Sequence, residues 1–182
     1  MAKQDSPVAR LELAAEIFAA FRALGYQPIQ YGGATVEVYS DGQYCTGDLD
    51  IGFLYQAPPI EERSRVMQAL GSPPGVRLFQ YKDAVVDLGG VAEMFSRNFV
   101  EIKTAKGAVL LEAPEEAIIQ RLLLAYYPQS QPDQLKAAEL LIRNALAGNF
   151  AIDWAEVRRL AGLPMFNVLA QFEALYQRII ED

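Results

Sequence analysis

One run of six residues constrains the fold more than any other stretch. From Asp48 to Phe53, Leu49, Ile51 and Phe53 alternate with Asp48, Asp50 and Gly52. Successive side chains of a strand point to opposite faces, so the run predicts a half-buried strand with two carboxylates on one face. Such a strand needs a sheet around it. Ile29-Gln30-Tyr31, Val76 to Gln80, Ala84 to Leu88, Phe99 to Ile102 and Ala108 to Leu111 read as further short strands. In the third of these, Val85 and Asp87 fall on the face opposite Ala84, Val86 and Leu88.

Helical spacing frames the strands. Leu11, Ala14, Phe18, Phe21 and Leu24 recur at that spacing up to Gly25, behind Ser6 as N-cap and Pro7 at the first helical position. Ile60, Val66, Met67 and Leu70 mark a second helix closed by Gly71. From Ala113-Pro114-Glu115-Glu116 onward the pattern is helical, over residues 114–126, 133–147, 153–161 and 165–180, with Gly148 as a stop. Asp153 followed by Glu156 is a capping-box variant. Leu169, Leu175, Tyr176 and Ile179 stripe the last helix. The fold class expected is α+β: a mixed sheet flanked by helices in residues 1–112, and a helical subdomain, 113–182, packed on it. No low-complexity linker or internal repeat divides the halves.

Composition decides which chemistry remains. None of the 182 residues is His, which excludes imidazole acid–base catalysis, Ser-His and Cys-His nucleophiles and His-ligated metals within this chain. The single Cys, Cys45, makes no internal disulfide and is expected to pack beneath a turn. With 16 Lys and Arg against 23 Asp and Glu, the net charge is −7, which argues against capture of DNA or an anionic membrane. The longest stretch without charge, Ala23 to Val36, holds 14 residues and is broken by Gly25 and Pro28, too short to span a bilayer. The first residues lack a signal-peptide core, so a cytoplasmic protein is expected.

Chemistry must then run on carboxylates. Asp48 and Asp50 stand about 6–7 Å apart along the backbone on one strand face, close enough to share a divalent cation. In a chain without His or a Cys cluster that ion would be hard, Mg²⁺ or Mn²⁺. Upstream, Gly32-Gly33 lets a phosphate approach the backbone closely.

Tyr31-Gly32-Gly33 followed by Asp48-Leu49-Asp50, with a third acid at Asp87, resembles the signature of the nucleotidyltransferase superfamily. The match is closest to bacterial minimal nucleotidyltransferase-like proteins related to the AbiEii toxins of toxin–antitoxin systems. It extends through Tyr39, Gly42-Gln43-Tyr44, Thr46, Ala113-Pro114-Glu115-Glu116, Arg121-Leu122-Leu123 and Ile152-Asp153-Trp154, over most of residues 10–165. The β-branched residues Thr35, Val36 and Val38 favour a strand by propensity, but the resemblance implies a short helix over 34–40.

By the same resemblance, Asp48, Asp50 and Asp87 would hold Mg²⁺ or Mn²⁺, with Asp87 taking the proton of an attacking hydroxyl and Glu101 as the lesser candidate for that place. Gly32 and Gly33, with Arg97 and Lys103, would bind a nucleoside triphosphate. A nucleoside monophosphate would pass to a hydroxyl of a protein or RNA acceptor. For Arg97, Lys103, Lys106 and Arg121 a solvated surface charge is the competing reading. Trp154 and the 166–180 stripe read first as core, with an exposed part of that tail as the place for a protein partner. The alternative is an inactive protein of the same fold acting as nucleotide sensor or interaction module, motivated by the −7 charge and the lack of an obvious triphosphate lysine.

Overall fold

A computed structural model describes residues 7–182, so the expected cap Ser6 lies outside the described residues. The chain runs α1 (Pro7–Arg22), β1 (Gln27–Tyr31), α2 (Gly33–Tyr39), β2 (Asp48–Leu54), α3 (Ile60–Ala69), β3 (Leu78–Tyr81), β4 (Ala84–Val91), β5 (Val100–Thr104), β6 (Gly107–Leu111), α4 (Pro114–Tyr126), α5 (Pro132–Leu146), α6 (Trp154–Ala161) and α7 (Leu169–Glu181). The six strands form one mixed sheet in the order β3-β4-β2-β1-β6-β5. Strand β2 sits near its centre, antiparallel to β1 and parallel to β4. Hairpins β3–β4 and β5–β6 close the two edges.

The alternation read at Asp48–Phe53 sets the two faces. Leu49, Ile51 and Phe53 are fully buried, and with Val86, Leu88 and Phe79 they meet Ile17, Phe18 and Phe21 of α1 in the main core. That core continues through Ala117, Ile118 and Leu122 of α4 to Leu141, Leu160 and Phe172 in the following helices. On the opposite face a smaller cluster of Ile29, Leu54 and Met94 covers only part of the sheet, leaving Asp48 and Asp87 half-buried. Among the described residues no helix is long and apolar enough to cross a membrane.

Helix α2 forms against local preference because tertiary burial outweighs it: Ala34, Thr35, Val36 and Tyr39 are all buried. Glu112, Glu115 and Glu116, at the turn from β6 into α4, carry an unusual load. Each is buried and accepts hydrogen bonds from a different loop: Glu112 from Gly32 N–H, Glu115 from Asp153 N–H, and Glu116 from the Phe95 and Ser96 N–H groups. The expected capping box at Asp153 is therefore half realised. Its side chain accepts from the Ala155 and Glu156 N–H groups, but its own N–H goes to Glu115 while Glu156 pairs with Arg159. In α7 most of the apolar stripe serves the core: Phe172, Leu175 and Ile179 are buried, and Trp154 packs on Phe172 and Tyr176. Met165, Leu169 and Ile180 stay exposed.

Candidate functional site

Three acids meet on the partly open face. Asp48 and Asp50 project from β2, and the parallel register with β4 sets Asp87 directly beside Asp50. Tyr31 is the cross-strand partner of Asp50 on the other side. Its ring lies where Gly52 and Gly89 leave room: a Cβ at either glycine would come within 3.1 Å of the ring or 2.9 Å of the phenol oxygen. Burial raises the Tyr31 phenol above its ordinary range, and the charges of Asp50 and Asp87 add to this.

The glycine pair reaches the same place. The Gly33 N–H donates to Asp50 Oδ2 at 3.2 Å, and Gly32, at φ 71 and ψ −144, passes so close that a Cβ there would sit 2.5 Å from that oxygen. Burial pushes the Asp50 carboxyl up to about 6, helped by the charges of Asp48 and Asp87 and opposed by the Gly33 N–H and Arg121. An oxygen-only donor set whose members repel one another suits a hard divalent ion, with Asp48 and Asp50 as its natural holders. Yet no three Cys, Asp or Glu side chains among the described residues converge into a ready cation cluster. Each acid is held by a different protein donor: Asp48 by Thr46 Oγ1 at 3.0 Å, Asp50 by Gly33, and Asp87 by the Arg77 fork at 2.6 and 2.8 Å.

The sequence-derived cations lie elsewhere. Lys103 is exposed on β5, three strand spacings or about 14 Å across the sheet from β2. Arg97 is exposed in the segment before β5, where its charge acts on Glu116. Lys106 pairs with Glu16 at 3.6 Å, and Glu101 is exposed on the same far strand. Arg121, weighed as a surface charge, is only 8% exposed, donates to Gln134, and acts electrostatically on Glu112 and Asp50. Cys45 is exposed rather than tucked beneath its turn, with its thiol 3.7 Å from the Gly42 carbonyl.

Three contributors escaped the sequence reading: Arg77, Glu112 and Arg10. Arg10, on α1, donates to the carbonyls of Thr46 at 2.7 Å and Asp48 at 2.6 Å, and faces Glu37 at 3.6 Å. It fixes where β2 begins and hence where Asp48 points. Replacing Arg10 by Ala removes its bonds to those carbonyls and its pairing with the buried Glu37 carboxylate, which still accepts from the Thr46 N–H at 3.4 Å, so a loss of about 2 kcal/mol is expected. In thermal melts that is a drop of roughly 6 °C for a chain of this size. An unchanged midpoint would show the fork to be dispensable.

No protein-family model matches the chain, and no curated protein matches it. Solved structures do. The crystal structure of ANT(2")-Ia in complex with adenylyl-2"-tobramycin superposes with TM-score 0.55 at 16% identity, over 76% of this chain and 91% of that one. The solution structure of the antibiotic-resistance factor ANT(2'')-Ia gives 0.55 at 14% identity, over 94% and 95%. An antigenic nucleotidyltransferase-like protein from Paracoccidioides brasiliensis gives 0.56 at 14% identity, over 77% of each chain. The fold is that of the nucleotidyltransferases, the mixed sheet with flanking helices that the sequence led us to expect.

Proposed function

We propose that the chain transfers a nucleoside monophosphate from a nucleoside triphosphate to a hydroxyl of a protein or RNA acceptor, using Mg²⁺ or Mn²⁺. The observation that carries this reading is the meeting of Asp48 and Asp50 with Asp87 in register and the Gly33 N–H on the Asp50 carboxylate, within this fold. The acceptor oxygen attacks the α-phosphorus, the bond from that phosphorus to the bridging oxygen breaks, and pyrophosphate leaves. Asp87 takes the hydroxyl proton. Asp48 and Asp50, with Asp87 beside them, would hold the ion, which when bound neutralises charge on the entering and leaving oxygens. Gly32 and Gly33, whose N–H groups go to Glu112 and Asp50, would let the phosphates come close to the backbone without a side chain in the way.

A relation to AbiEii-type systems belongs to the same proposal, with the exposed Met165, Leu169 and Ile180 as the place where a partner protein would dock. The acidic balance disfavours a long nucleic acid as acceptor. A second reading, a catalytically inactive nucleotide sensor or interaction module, is favoured by one observation: Arg77 occupies both Asp87 oxygens.

The test is transfer of label from each of the four α-labelled triphosphates, with Mg²⁺, to cell extract, RNA or tobramycin. Tobramycin is included because the ANT(2")-Ia structure carries its adenylyl adduct. Wild type should transfer label and Asp50→Asn, at matched stability, should not. Equal labelling by both removes the proposed site. Nucleotide binding without any transfer supports the sensor.

A further inference from the structure

None of the three cations weighed from the sequence is placed to serve the triphosphate: Lys103 lies across the sheet, Arg97 acts on Glu116, and Arg121 is buried against Gln134. Among the described residues one cationic side chain is hydrogen-bonded to a carboxylate of the three acids, since Arg10 reaches only the Asp48 carbonyl. Arg77 precedes β3, and its Nε and Nη2 grip Asp87 Oδ1 and Oδ2 at 2.6 and 2.8 Å. The pair is lopsided: the Arg77 side chain is 67% exposed, the Asp87 side chain 13%. Asp87 is fixed in the sheet beside Asp50, whereas Arg77 reaches in from solvent on a long stem and is free to leave.

Local structure explains the reach. At Gly75 a Cβ would meet the Leu78 carbonyl at 2.5 Å and the Phe79 ring at 2.9 Å, so the chain folds tightly back on itself before the strand starts. Arg77 is therefore outside the regular ladder, although its carbonyl still accepts from Leu88 N–H. Leu78, directly opposite Asp87, is 60% exposed, and the Arg77 side chain is itself open to solvent.

We infer that Arg77 is the phosphate-binding cation of this site, held by Asp87 until a divalent ion takes that carboxylate, and then turned to the nucleotide's phosphates. The inference rests on the nucleotidyltransferase reading and adds to it a residue the sequence did not single out. Its physical basis is competition. A carboxylate whose two oxygens are forked by a guanidinium has little left to offer a cation, and +1 at this distance repels a divalent ion. A phosphate oxyanion accepts the same fork with the same geometry. Arg77 thus has two partners of like chemistry, and the ion decides between them.

The two halves of the exchange move in opposite directions when Arg77 is removed. For Arg77→Gln, Mn²⁺ titrated alone into the full chain and followed by calorimetry or by the electron-spin signal of free Mn²⁺ should bind about fivefold tighter than to wild type. A non-hydrolysable nucleoside triphosphate with Mg²⁺ should bind about tenfold weaker. Arg77→Lys, which keeps the charge and loses the fork, should recover part of the nucleotide affinity. Wild-type-like affinities in Arg77→Gln, or the same direction of change for both ligands, overturn the inference and leave an ordinary strand-end ion pair. Binding of neither Mn²⁺ nor any nucleotide by wild type overturns the nucleotidyltransferase reading itself, and the inference with it.

Discussion

Replacing Gly32 by Ala is expected to lower stability by about 3 kcal/mol and to abolish binding of Mn²⁺ and nucleotide. Two independent effects act at this residue. At φ 71 and ψ −144 the backbone occupies a region that a side chain other than hydrogen makes costly, on the order of 1–3 kcal/mol. The new methyl would also lie 2.5 Å from Asp50 Oδ2 and 3.0 Å from its carboxyl carbon. Relief requires a shift of one partner. If the backbone turns, the Gly32 N–H leaves Glu112 and the Gly33 N–H leaves Asp50, which removes one bond from a fully buried carboxyl and one from the site. If Asp50 swings away instead, the acidic pair is lost. Either way binding fails, and the loss shows as a thermal midpoint lower by roughly 9 °C. Gly90→Ala is the control, because open space surrounds that position and its φ is ordinary, so it should stay within about 0.5 kcal/mol of wild type. A Gly32→Ala protein that melts with wild type and still binds Mn²⁺ would refute the close approach described here.

What the sequence made legible were the features with short-range causes. The alternation at Asp48–Phe53 needed only the two-residue period of a strand, and β2 runs Asp48–Leu54. The helix starts at Pro114 and Trp154 followed from proline and Asp capping signals, and both stand where expected. Helix α2 was different, because propensity pointed to a strand and the resemblance to a helix, and the burial of Thr35, Val36 and Tyr39 sides with the helix. The partners of the acids were not legible, because they come from distant parts of the chain. Arg10 lies 36 and 38 residues from the carbonyls it binds, and Glu112 lies 80 residues from Gly32. Arg77 was hidden for another reason. A strand drawn from Val76 to Gln80 puts Arg77 on the same face as Phe79, in the core, but the strand begins only at Leu78, and the turn at Gly75 frees the guanidinium to reach Asp87. Lys103 and Arg97 are near each other in sequence, but the sheet order carries β5 to the far edge.

Glu112, pushed up to about 8, makes a large contribution to the pH dependence of stability, and Glu112→Gln should remove that contribution. The carboxyl is fully buried, and burial pushes it up to about 8, with the Glu116 charge adding to this while Arg121 and the Gly32 N–H oppose it. In the unfolded chain it titrates near the ordinary 4.5. Between those two values the folded protein retains a proton that the unfolded chain has released. The unfolded state binds fewer protons, so stability falls as pH rises, by about 1.4 kcal/mol per pH unit and by an upper limit of about 5 kcal/mol across the window. The contribution is fully present below 4.5 and exhausted above about 8. Gln has the shape of the protonated acid, still offers an oxygen to the Gly32 N–H, and does not titrate. Its stability should therefore lie close to wild type at pH 5 and exceed it by several kcal/mol at pH 8, with a difference in melting midpoint of roughly 10 °C at the higher pH. Asp50, raised to about 6, tilts the wild-type curve in the same direction, but it is present in both proteins and cancels in their difference. Parallel stability curves from pH 5 to pH 8 would show that Glu112 is ionised in the fold and that Arg121, rather than a proton, balances it beneath the glycine pair.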